Sequence, residues 1–282
     1  MGALVEITEI VAIALTLGAG SLLQSAVGFG FGLFVVPLLL LITDLSIYNT
    51  IGLMAAAGLT QSVVSVFHLR RHIDWKVLLP LMGVGIIGLQ LGVWLQHALV
   101  GLDKTSVRQI VGAIQLATLL AFLLLKVEPQ DRIHVLWGIA ALLLGGVIAG
   151  CAGMGGPFIV LWVAAHRWSN FKMRATILTL IASMIPFQIG FLTWQFGTQV
   201  LQFTLIGFLY LPLVLAGTAV GLWIGGRIPT KQLRQLMIGI LFVVAGISIL
   251  RPWIPLANQP IFYGAAVLES GGNPKIVHSG PR

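Results

Sequence analysis

The sequence predicts an all-α polytopic membrane protein made of two inverted repeats of about five helical elements each. Three observations predict it. Hydrophobic residues fill 58% of the 282 positions, and mean hydropathy is +1.02. Only 9% of residues are charged, where soluble domains carry about 25%. Finally, short motifs of the first half return in the second in the same order, so the chain reads as duplicated.

A membrane-crossing helix needs about 20 apolar residues. Apolar runs of suitable character lie at 8–27, 29–43, 47–67, 77–99, 107–125, 133–151, 153–165, 174–196, 202–226 and 233–250. The second and seventh are short, so ten elements and eight full spans with two re-entrant pieces are both open. Met1-Gly-Ala-Leu-Val-Glu6 lacks the basic start of a signal peptide, and the first run is expected to be a retained span. The division expected is 1–126 for the first repeat, 127–250 for the second, and 251–282 for an extramembrane tail. The tail's one apolar run, Ile261–Leu268, is too short to cross a bilayer.

Charge tests the topology. The net charge of +8 comes from basic residues in short loops, which set orientation and do not point to nucleic acid. With the N-terminus outside, the loops facing the cytoplasm hold Arg70, Arg71, Lys76, Lys126, Arg132, Arg167, Lys172, Arg174, Arg227, Lys231 and Arg234. Outside fall Lys104, Arg108, Arg251, Lys275 and Arg282. That asymmetry obeys the positive-inside rule; the inner (plasma) membrane expected for the chain follows from the family resemblance given below.

The repeat is visible in three pairs of segments. Ile73–Leu81 pairs with Phe203–Leu213 around a shared Leu-Pro-Leu, Leu91-Gly-Val-Trp94 with Val220-Gly-Leu-Trp223, and Lys104–Ile110 with Thr230–Leu236. An odd number of elements per half makes the halves opposite in orientation.

Two glycine stretches interrupt the apolar runs: Ser25-Ala-Val-Gly28-Phe-Gly30-Phe-Gly32 and Gly150-Cys-Ala-Gly153-Met-Gly155-Gly156-Pro157. Glycine permits positive φ and weakens a helix, while proline favours its first positions, so a helix is expected to begin at Gly156 or Pro157. A helix beginning inside the bilayer presents free N–H groups and a positive dipole end, which suit an anion. The plainer alternative is packing, since Gly28 and Gly32 form a GxxxG pair. Broken helices at corresponding places in two halves are the stronger pointer to a transport site.

No Asp, Glu, Lys or Arg sits mid-span, which argues against a carboxylate-driven pump. The six histidines lie near span ends or in the tail without metal-site spacing, and catalytic signatures are missing. Cys151, the single cysteine, reads as a small buried thiol. Polar residues inside the spans are neutral: Gln24 and Ser25, then Asn49, Thr50, Thr60, Gln61, Ser62 and Ser65, and in the other half Thr176, Thr179, Ser183, Gln188 and Thr193. Each is either helix–helix glue or part of a path. The candidate substrate-binding set is Gln24, Ser25, Gly28, Phe29, Gly30, Gln61, Gly153, Met154, Gly155, Gly156 and Gln188, with Phe29 and Phe31 as gating or packing rings. No enzyme activity, metal or cofactor is expected. The partners expected are a small anion and the lipid bilayer; proton coupling through a histidine such as His68 or His97, and a homo-oligomer, stay open.

At these residues the chain resembles the sulfite exporter TauE/SafE family. The carriers are Gln24-Ser-Ala-Val-Gly-Phe-Gly-Phe-Gly-Leu-Phe-Val-Val-Pro37 and Gly153-Met-Gly-Gly-Pro157-Phe-Ile-Val-Leu161, followed by Arg174-Ala-Thr-Ile177. Phe158 stands where the family usually has a second proline. The resemblance implies a secondary transporter that moves a small sulfur-containing anion (sulfite, sulfonate or sulfoacetate) by alternating access. A passive anion channel and a membrane subunit of a larger complex are the rival readings.

The loops Arg70–Lys76, Arg167–Arg174 and Arg227–Arg234 are predicted to share one side of the membrane, opposite the tail from Arg251. Single-cysteine labelling in a Cys151→Ser background checks this. Labelling of the tail and the Arg227–Arg234 loop from the same side refutes the final span.

Overall fold

The computed structural model describes residues 2–27, 29–124, 129–130, 133–225, 227 and 230–250. Gly28, Lys126, Arg132 and the tail from Arg251 lie outside the described residues, as does the side chain of His68. The described chain is all helix apart from turns and one isolated bridge, Gln130 to His166. In order the helices are α1 (Gly2–Val27), α2 (Phe31–Ile42), α3 (Ile47–Leu69), α4 (Trp75–Val100), α5 (Lys104–Leu124), α6 (Val135–Ala152), α7 (Gly156–Ala164), α8 (Asn170–Phe196), α9 (Gln199–Leu209), α10 (Leu211–Gly225) and α11 (Thr230–Leu250). A 3-10 turn, Arg70–His72, joins α3 to α4. Five helices are long and apolar enough to cross a membrane, or six if the bent pair α9–α10 counts as one. Their outer faces carry large apolar side chains such as Trp94, Trp194, Leu209 and Trp223, the surface that a bilayer covers. This is a multi-pass membrane protein.

Local chemistry explains the helix ends. Ser46 and Ser169 accept hydrogen bonds from the backbone N–H of Asn49 and Lys172, capping α3 and α8. Asp103 does the same for α5, where the Ser106 hydroxyl and N–H hold its carboxylate below the usual range. Gly153 stops α6 in the left-handed region at φ 72°. Gly30, at φ 107°, precedes α2.

One expected element is corrected. The run at 202–226 is not a single helix: it breaks at Tyr210 into α9 and α10, which meet at 59°. Pro212 lacks an N–H and clashes with the turn before it. Yet Pro37, Pro80 and Pro186 all lie inside continuous helices. Packing makes the difference. α9 lies along α3, whereas α10 lies along α1, and the bend redirects the chain between them.

Two helix pairs form the tightest contacts. α4 packs along α6, and α10 along α1. A Cβ at Gly88 or Gly92 would strike the carbonyls of Leu143 or Val147 on α6. A Cβ at Gly217 or Gly221 would likewise strike those of Gly18 or Leu22 on α1. The two interfaces therefore use the same four-residue glycine ladder, with bare backbone against backbone. The packing is reciprocal along the chain: α4 grips the later α6, and α10 grips the earlier α1. α3 packs on α8 and α5 on α11.

The ends of the bundle are marked by polar contacts. At one end Lys104 pairs with Asp44 at 2.9 Å, and Tyr48 and His97 stack on Phe196. At the other, Lys172 pairs with Asp74 at 3.1 Å and His72 stacks on Phe171. Between them, α2 is enclosed by protein, nine of its 12 residues being buried against Leu17, Ile51, Leu53, Met237 and Leu241.

Gly92→Ala and Gly221→Ala are predicted to lower stability by roughly 1–3 kcal/mol each through overpacking. Gly83→Ala, on the same α4 but with nothing within 4 Å of its added Cβ, is the control and keeps or raises the unfolding midpoint in detergent.

Candidate functional site

The two glycine stretches meet. A Cβ on Gly32, in the first turn of α2, would collide with the carbonyl of Gly153, and one on Gly153 would touch Ile51 and Val36 at 3.1 Å. The N-termini of α2 and α7 consequently open on a common inner cavity of about 100 Å³. Its wall contains eight of the expected site residues: Gln24, Phe29, Gly30, Gly153, Met154, Gly155, Gly156 and Gln188. Pro157 stands in the first turn of α7, as the sequence predicts. The first-turn N–H groups of a helix have no carbonyl one turn earlier to bond, and both dipoles present their positive ends to this space.

Ser25 and Gln61 lie elsewhere. They line an outer cavity of about 580 Å³ together with Gln24, Phe29, Arg174 and Thr218. Gln24, Phe29 and Val160 belong to both walls, so the cavities adjoin. The outer one lies among the C-terminal ends of α1, α7 and α10 and the start of α8, at the end marked by Lys172 and Asp74. Gly28 lies outside the described residues.

Hydrogen bonds separate glue from free groups. Gln61 Nε2 donates to Ser25 Oγ at 2.8 Å and to Thr218 Oγ1 at 3.0 Å, tying α3 to α1 and α10. Gln188 Nε2 donates to the Ala149 carbonyl at 2.7 Å, which also accepts from Gly153 N–H at 2.8 Å. Gln188 thereby clamps the end of α6 at its glycine turn. Thr50, Thr60 and Ser183 bond their own helices. Gln24 differs. It is 7% exposed, its amide makes no hydrogen bond among the described residues, and it lines both cavities. Phe29 packs its ring against Phe122 with centroids 4.9 Å apart and stands between the two spaces.

The glycines of the second stretch divide sharply by role. An added Cβ at Gly155 would collide with the Gly145 carbonyl and lie 2.7 Å from Ala149 Cβ. At Gly156 it would meet nothing within 4 Å, although Gly156 lines the cavity. Gly155 is a packing glycine and Gly156 an open one.

The electrostatics are one-signed. Among the described residues lining the two cavities, Arg174 is the one ionisable side chain. Sequence reasoning counted Arg174 as a topology charge and passed over Thr218; only the fold places them here. The histidines considered for proton coupling stand apart. Of those considered, His97 stacks on Phe196 and the side chain of His68 lies outside the described residues. His166, another histidine, stacks on Trp168 with Nδ1 2.9 Å from the Trp162 carbonyl. Burial pushes His166 below the usual imidazole range. Cys151 is buried, as expected.

Such an arrangement can hold a small anion by backbone N–H groups, helix dipoles and the Gln24 amide, with no carboxylate to repel it. Comparison with curated proteins found no match, and comparison with solved structures found none either. The sequence model described as "Sulfite exporter TauE/SafE" matches residues 12–248, a stretch that takes in both glycine turns and both cavities. The chain belongs to the sulfite exporter TauE/SafE family of membrane transporters.

Proposed function

We propose that the protein is a secondary carrier of a compact sulfur oxyanion, sulfite or a small sulfonate, which it binds between the N-termini of α2 and α7 and moves by alternating access. One observation supports this above the others: two helix starts and the unbonded Gln24 amide converge on one cavity whose described wall has no carboxylate. The two halves, 1–126 and 127–250, would be inverted, each giving one broken helix to the site. By the positive-inside rule the end bearing Arg70, Arg167, Lys172, Arg174 and Arg227 faces the cytoplasm of a cell with the protein in its inner membrane. The N-terminus then lies outside, and the outer cavity opens inward, where an exporter takes up its load.

Gly156→Leu is predicted to reduce uptake of sulfite into proteoliposomes by about tenfold or more, with monodisperse yield retained. Gly155→Leu is predicted to lose the folded protein itself. Full transport by Gly156→Leu would remove the inner cavity from the path.

Carrier and channel are separated by counterflow. Sulfite preloaded inside proteoliposomes accelerates uptake of labelled sulfite through a carrier, because return of the loaded site is faster than return of the empty one. Uptake indifferent to preloading would favour the channel.

A further inference from the structure

We propose that the outer cavity is a separate capture site for the anion, with Arg174 as its charged ligand. The proposal rests on the carrier reading above.

Arg174 stands out from the cations around it. Lys172 reaches Asp74 at 3.1 Å and the Trp168 ring at 4.7 Å. Arg167 Nε donates to the Pro129 carbonyl at 3.2 Å. The Arg227 guanidinium lies over the Trp223 ring at 3.6 Å, and that of Arg70 over Phe67 at 4.8 Å. Arg174 makes no such contact among the described residues, and it lines the cavity. It is solvent-exposed, so its guanidinium is accessible to an anion that enters the cavity.

The rest of the wall fits the role. Val160, Val163, Ile177 and Leu222 are apolar, and a cleft of low-dielectric walls with charge of one sign concentrates counter-ions. A guanidinium offers a planar fork that matches two oxygens of a sulfite or sulfonate group. Ser25, Gln61 and Thr218, already bonded into a cluster, supply neutral polar surface deeper in. Gln24 and Phe29 then border the inner cavity, so an anion captured at Arg174 needs only to pass Phe29 to reach the helix ends.

The test is the concentration dependence of ³⁵S-sulfite uptake in proteoliposomes. Arg174→Gln is expected to raise KM about tenfold, or ~1.4 kcal/mol, with kcat changed far less. It is also expected to flatten the rise of KM with ionic strength, since an exposed charge is screened by salt. Arg174→Lys restores most of the affinity. In a Cys151→Ser background, Arg174→Cys regains affinity when alkylated to a cationic aminoethyl thioether and not when alkylated to an anionic carboxymethyl one. A merely structural role would not follow the sign of that charge. If Arg174→Gln keeps the parent's KM and salt dependence, the capture site is refuted. Should Gly156→Leu still abolish uptake in that case, the inner site stands. Should it not, both readings fall.

Discussion

Lipid offers no hydrogen bonds, and that single fact constrains everything about a helix that begins inside a membrane. The free N–H groups of α2 and α7 must face protein, water or a ligand. α2 can start where it does because protein encloses it, with nine of its residues buried. α7 buries Pro157, Ile159, Trp162 and Val163. The glycine ladders let the enclosing helices come close enough: α4 lies on α6 and α10 on α1 with carbonyls where side chains would otherwise be. The broken helices and the tight helix pairs are two sides of one solution.

The reciprocity of those pairs bears on movement. α4 holds α6 and α10 holds α1, and the two helices so held lead directly into the two glycine turns. Under the carrier reading, a shift of one such pair against the other would move both helix starts. α3 and α8, the elements that carry Gln61 and Gln188, also pack on one another. Under the carrier reading, the Gln188 bond would hold the turn at Gly153 to α8, while Gln61 would tie α3 to both α1 and α10 across the two halves.

The helices and glycine breaks were legible because hydropathy, glycine and proline act locally. The start of α7 at Gly156 followed from Pro157 alone. What escaped was decided by neighbours far away in sequence. Pro212 breaks a helix and Pro80 does not, although both sit in the same Leu-Pro-Leu motif, because only the second copy must turn from α3 to α1. Gly155 and Gly156 adjoin, yet one rests against Gly145 and the other faces open space. Gly155 was a candidate site residue by sequence, yet a leucine there would be a wedge between α6 and α7. Gln61 and Gln188 stood in one candidate set; the fold gives them to different cavities.

The placement of charge also has a logic of release. A buried arginine beside the anion would hold it with about 4 kcal/mol at 4 Å and an effective dielectric of 20. A helix end contributes about 0.3–1 kcal/mol, and up to ~2 kcal/mol when partly buried. Two helix ends and an amide can orient an anion without trapping it, and a carrier must let go on the far side. The one cation lining either cavity stands at the wide outer one, where water weakens its grip and salt screens it. Attraction is strongest in reach at the mouth and gentlest at the centre. Under the carrier reading, that gradient would concentrate an anion at the opening and leave its passage to neutral groups.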